Sequence, residues 1–110
     1  MGGISLVAGG RMETKAGSTS NKTRRLALRF VGEVQGVGFR WRARNAAEHF
    51  SCTGWARNEW DGSVSMEIQG REEDIDKVIL AIEKGTFVRI ENMNVKTLPI
   101  VEQEYGFRTE

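Results

Sequence analysis

One cysteine, one histidine and no long apolar run mark this 110-residue chain, and each shortage excludes a class of function. Cys52 alone cannot close an intrachain disulfide or build a cysteine cluster for a metal. His49 alone rules out a multi-histidine metal centre and leaves Ser–His catalysis only one candidate base. No segment approaches the roughly 20 apolar residues that a membrane-spanning helix needs. A net charge of +1 gives no global field toward nucleic acid or a membrane surface. The expectation is a monomer in the reducing cytoplasm, with no metal, no cofactor, no membrane partner and no specific nucleic-acid partner.

What is present fits a single soluble domain: 39% apolar and 28% charged residues, and enough length for one modest core. The charge is unevenly spread. Residues 24–58 hold seven arginines against Glu33 and Glu48, whereas residues 59–110 hold six basic residues against twelve acidic ones. A local basic site on a balanced chain suits a small anion better than a long polyanion.

Residues 1–23 are rich in Gly, Ser, Thr and Lys and read as a disordered or vector-derived tail. A basic segment followed by a long apolar one is missing, so no secretory signal is expected. Leu6 stands where the myristoylation pattern needs Ser or Thr.

The domain is expected over residues 24–110. Leu26, Leu28 and Phe30 alternate within residues 25–33, predicting a strand with one buried face. Apolar or small residues at 39, 43, 46, 47 and 50 predict a helix. Residues 53–58 and 63–69 predict two strands joined at Asp61-Gly62. Residues 72–84 have a 3.6-residue apolar stripe, an acidic first turn and Gly85 as the residue after the end. Residues 88–98 predict a strand with Met93, Val95 and Thr97 on one face, and residues 104–108 a short further one. The order β-α-β-β-α-β predicts an α+β, ferredoxin-like sandwich, with two helices on one face of a mostly antiparallel sheet and a possible fifth strand. In that plan the first two strands run parallel with the third between them, so their carboxyl ends share one rim.

The first of those ends carries the run Val34-Gln35-Gly36-Val37-Gly38-Phe39-Arg40. Its glycines leave backbone N–H groups uncovered, and a guanidinium closes it, which suits a phosphate-sized anion at a helix start. Arg40, Arg42 and Arg44 crowd that start, where the macrodipole disfavours cations, and a bound anion would offset the cost. The second strand ends at Asn58, 18 residues after Arg40.

Residues 32–40, then Gly54-Trp55-Ala56-Arg57-Asn58, then Asp61-Gly62-Ser63-Val64 together resemble the acylphosphatase family. The likeness covers residues 25–108. It implies metal-independent hydrolysis of a small-molecule acyl phosphate to carboxylate and inorganic phosphate. It also implies catalytic roles for Arg40 and Asn58, and phosphate binding through the main chain of Gln35, Gly36, Val37, Gly38 and Phe39. An alternative is a non-catalytic anion- or RNA-binding module on the same fold, since Val-Gly-Phe-Arg faintly echoes a sheet-borne RNA motif.

Plainer roles are expected elsewhere. Arg24, Arg25, Arg29 and Arg57 read as solvated strand-face charges. Arg42 and Arg44 read as surrounding field, Trp60 as an exposed residue and Cys52 as a core filler. His49 reads as a helix residue with no catalytic part. The Gln35 side chain is expected to brace the loop.

Overall fold

The computed structural model describes residues 22–110. The expected tail therefore lies outside the described residues, apart from Lys22 and Thr23, and Thr23 already opens the first strand.

The order is β1 (Thr23–Glu33), α1 (Phe39–His49), β2 (Thr53–Asn58), β3 (Val64–Arg71), α2 (Glu72–Glu83), β4 (Arg89–Leu98) and β5 (Phe107–Thr109). The five strands form one sheet in the order β4-β1-β3-β2-β5. β3 pairs antiparallel with both β1 and β2, so β1 and β2 run parallel, as the ferredoxin-like plan requires. β5 is a real strand, beginning three residues later and ending one later than the sequence suggests, and pairs parallel to β2.

Period-two alternation builds the core. Leu28 and Phe30 of β1, Ala56 of β2, and Val64, Met66 and Ile68 of β3 face α1 and α2. From the helices come Phe39, Ala43, Ala46 and Ala47, with Ile75, Val78 and Ile82. Small residues on α1 let it lie close to the sheet. Cys52 fills a core position at 2% exposure, and burial, with Asp74 nearby, pushes its thiol up to about 12.

One expectation needs correction, and two gain detail. Gly85 stands, as expected, directly after the helix cap Lys84, without the left-handed conformation that many helix-ending glycines adopt. Two side chains crowd it: a Cβ there would lie 2.8 Å from Val88 Cγ2 and 2.9 Å from Arg42 Nε. Met93, Val95 and Thr97 share one face of β4 as expected, and that face is only partly covered, with Val95 52% exposed. Finally, Arg25 is not a solvated charge. It is 3% exposed and donates to Glu104 at 2.8 and 3.1 Å, to Glu67 at 3.0 Å and to Gln69 at 3.2 Å. Thr53 Oγ1 donates to the same Glu104 at 2.7 Å, so this cluster pins the β4–β5 connection across the sheet face that carries no helix.

Candidate active site

The loop after β1 begins at an irregularity. The β1–β4 register shifts between Val31 and Gly32, a bulge that redirects the strand end. Val34 and Phe39 are then buried, and Phe39 meets Phe30 edge-on at 4.9 Å. The exposed glycines lie between these anchors. Gly36 (φ 73°) and Gly38 (φ 80°) are left-handed, and a Cβ on either would meet nothing within 4 Å. They are glycine for backbone conformation, not for lack of room.

Gly38 is also the N-cap of α1. It has no side chain to cap the helix, and the first turn carries no acid. The first intrahelical bond runs from Arg42 N–H to Gly38 O at 3.0 Å. The N–H groups of Phe39, Arg40 and Trp41 precede it and belong to the uncapped turn. Such a turn attracts an anion through both its donors and its partial positive charge.

Arg40 and Asn58 are bracketed by two hydrogen-bond links. Arg40 Nη1 donates to the Glu110 backbone oxygen at 2.7 Å, and Glu110 N–H donates to Ala56 O at 2.8 Å. Arg40 is thereby tied to the strand two residues before Asn58. On the other side, Gln35 Nε2 donates to Glu59 O at 2.5 Å and to Ser63 O at 2.8 Å, tying the loop to the residue after Asn58. Strand alternation puts Asn58 on the same face as Gly54 and Ala56, the face that carries α1. Asn58 is half-buried.

The hairpin beyond Asn58 is a three-residue loop. Glu59 N–H bonds Ser63 O at 2.8 Å, Gly62 N–H bonds Glu59 O at 3.2 Å, and Gly62 sits at φ 96°. Asp61 Oδ1 accepts from Ser63 N–H at 3.0 Å and from Ser63 Oγ at 2.6 Å, and Arg29 bonds the other oxygen at 2.5 Å. These donors, the Ser63 hydroxyl first, hold the Asp61 carboxyl down at about 2. A hydrogen bond from Ser65, then Arg57, lowers that of Glu59. Both acids near the rim are thus kept as anions and are poor proton carriers. His49 ends α1, roughly 14 Å along the helix from Arg40 at 1.5 Å per residue.

Several other expectations can now be placed. Trp60 is fully exposed. Arg44 pairs with Glu48 at 3.3 Å on the helix surface. Arg24, Arg29 and Arg57 carry surface ion pairs, and Arg57 also stacks over Trp55 at 4.8 Å. Arg42 is more than surrounding field: its stem packs on Gly85, and Nη1 reaches Ala81 O at 3.4 Å, so it joins the two helices. Phe39, the aromatic of the RNA-like echo, is 2% exposed and has no free face on which a base could stack. The Glu110 contact with Arg40 had no signal in the sequence.

Comparison with known proteins gives this geometry its family. The family model described as Acylphosphatase matches residues 26–109. The chain belongs to the acylphosphatase family. The acylphosphatase of Oceanobacillus iheyensis is 43% identical over 77 residues, which are 68% of this chain and 85% of that protein. The acylphosphatase of Clostridium acetobutylicum is 38% identical over 85 residues, 76% of this chain and 93% of that protein. Among solved structures, the acylphosphatase from Bacillus subtilis superposes with a TM-score of 0.73 at 26% identity, covering 81% of this chain and 99% of that one. The resemblance read from residues 32–64 and the ferredoxin-like fold are both borne out.

Proposed function

We propose that this chain hydrolyses the carboxyl–phosphate bond of a small-molecule acyl phosphate, releasing a carboxylate and inorganic phosphate without metal or cofactor. One observation carries the reading: inside an acylphosphatase-family domain, hydrogen-bond links through Gln35 and through Glu110 bracket the glycine loop, Arg40 and Asn58 at one rim.

In this reading the N–H groups of residues 35–39 and of the uncapped first turn hold the phosphoryl oxygens. One N–H of Arg40 is held by Glu110. The rest of its planar fork can take two phosphate oxygens at once. These donors meet the negative charge that builds during phosphoryl transfer, with no cation required. The Asn58 amide holds a water on the far side of phosphorus from the acyl oxygen. The water oxygen bonds to phosphorus as the bond to the acyl oxygen breaks. The carboxylate leaves with the electron pair, and the water proton passes to a phosphate oxygen. A carboxylate is a good leaving group, so positioning and charge stabilisation supply most of the rate.

The test is phosphate release from benzoyl phosphate or acetyl phosphate, with and without a chelator. Turnover unaffected by chelator is expected. No turnover, or turnover abolished by chelator, refutes the reading. The same reading takes the protein as a monomer acting in the cytoplasm. A dimer in light scattering at micromolar concentration would overturn the first point.

A further inference from the structure

We propose that the Gln35 side chain is a positioning residue for Asn58, clasping the phosphate loop to the β2–β3 hairpin so that the anion and the attacking water share one line. The inference rests on the roles given above to the loop and to Asn58.

The geometry of the clasp is specific. Gln35 Nε2 reaches two carbonyl oxygens, those of Glu59 and Ser63. An amide nitrogen has two N–H donors, and here both are used. Two acceptors around one terminal atom also fix which end of the amide is nitrogen. The two carbonyls belong to residues that close the hairpin on each other, Glu59 N–H to Ser63 O. The next pair down the ladder is Asn58 with Val64. Gln35 therefore grips the hairpin one step beyond Asn58.

No other hydrogen bond joins residues 34–38 to residues 58–63 among the described residues. The far side of the hairpin is fixed separately, by Asp61 on Ser63 and by Arg29 on Asp61. The hairpin is thus rigid in itself, and Gln35 sets where that rigid unit stands relative to the loop. Misplacing a reacting group by about 1 Å can cost about a hundredfold in rate. A loosened hairpin would leave the loop able to bind phosphate while the water drifts off line.

Gln35→Glu is the sharpest variant, because it keeps the shape and replaces both donors by an oxygen facing two carbonyls. Gln35→Met removes the donors without charge. With benzoyl phosphate as substrate, both are expected to lower kcat about 10- to 100-fold. The inhibition constant of inorganic phosphate, which reports the loop and Arg40, should move less than about threefold. In an Asn58→Ala background the same changes should cost less than about threefold more, since a residue acting through Asn58 has nothing left to act on. An equal loss in both backgrounds overturns the proposal, as does a loss confined to phosphate affinity. A second measurement needs no turnover: the Asn58 side-chain NH2 signals of the substrate-free protein should shift or broaden in Gln35→Glu, and unchanged signals also overturn it. If the wild-type chain released no phosphate, the proposed reaction would fall and the NMR arm would still judge the clasp.

Discussion

Replacing Arg25 by Met should be among the most damaging single changes outside the rim. The side chain is 3% exposed and makes two hydrogen bonds to Glu104, one to Glu67 and one to Gln69. The Glu104 side chain is 10% exposed, and without Arg25 it keeps one hydrogen bond, from Thr53, and the weaker field of Arg108. Glu67 is 28% exposed and can rehydrate. The cost therefore comes mainly from one stranded carboxylate. Breaking a buried ion pair by removing one partner costs about 3–5 kcal/mol, and partial access of water to Glu67 argues for about 3. For a domain of this size that corresponds to a fall in Tm of roughly 12–24 °C. The assay is urea unfolding followed by fluorescence, with thermal unfolding by circular dichroism. The double variant Arg25→Met/Glu104→Leu should recover most of the loss, because the one charge then left unpaired, Glu67, can rehydrate. Arg25 also depresses the Glu104 pKa. That stabilisation is present above the unfolded-state carboxylate value and fades as pH falls through the folded one, so the single variant should approach wild type in acid. A loss below about 1 kcal/mol, or a double variant no better than the single, would refute this account.

Other outcomes follow from the rim and the core. Arg40→Ala and Asn58→Ala should each lower turnover about a thousandfold, about 4 kcal/mol, while circular dichroism stays native; an Asn58→Ala enzyme near wild type would remove the water-orienting role. The Asp61 carboxyl falls from 3.8 to about 2 on folding, so its contribution is complete above about pH 4 and lost as pH falls toward 2. The stability gap between wild type and Asp61→Asn, read by urea titration, should close over that window, and a gap unchanged at pH 2 would contradict the Ser63 and Arg29 contacts. Cys52 should resist a thiol reagent in the native protein and react at once in denaturant, given its 2% exposure and raised pKa. Fast native labelling would mean the core opens near the start of β2.

The sequence was most legible where local pattern and tertiary demand coincide. Leu26, Leu28 and Phe30 alternate because one sheet face meets helices, and the acidic first turn of α2 states its own polarity. The loop and Asn58 were legible because topology alone brings the ends of β1 and β2 together. Arg25 was misread because its partners Glu67 and Glu104 lie 42 and 79 residues away, and nothing near an arginine in a strand announces such a pairing. Gly85 was placed correctly by its local signal, one residue past the cap of α2, whereas the Arg42 stem passing beside it is a tertiary fact with no local trace. The contact between Arg40 and Glu110 has no local signature either.

That last contact bears on how the protein folds. Arg40 and Glu110 are 70 residues apart, and the Arg25–Glu104 pair spans 79. Contacts of such separation carry the largest loop-closure cost and slow folding relative to helical domains of equal size. Helix formation is local and fast, whereas β5 must pair with β2 from the far end of the domain. The rim should therefore be completed late, and recovery of activity during refolding should trail recovery of helical signal; simultaneous recovery would refute this order.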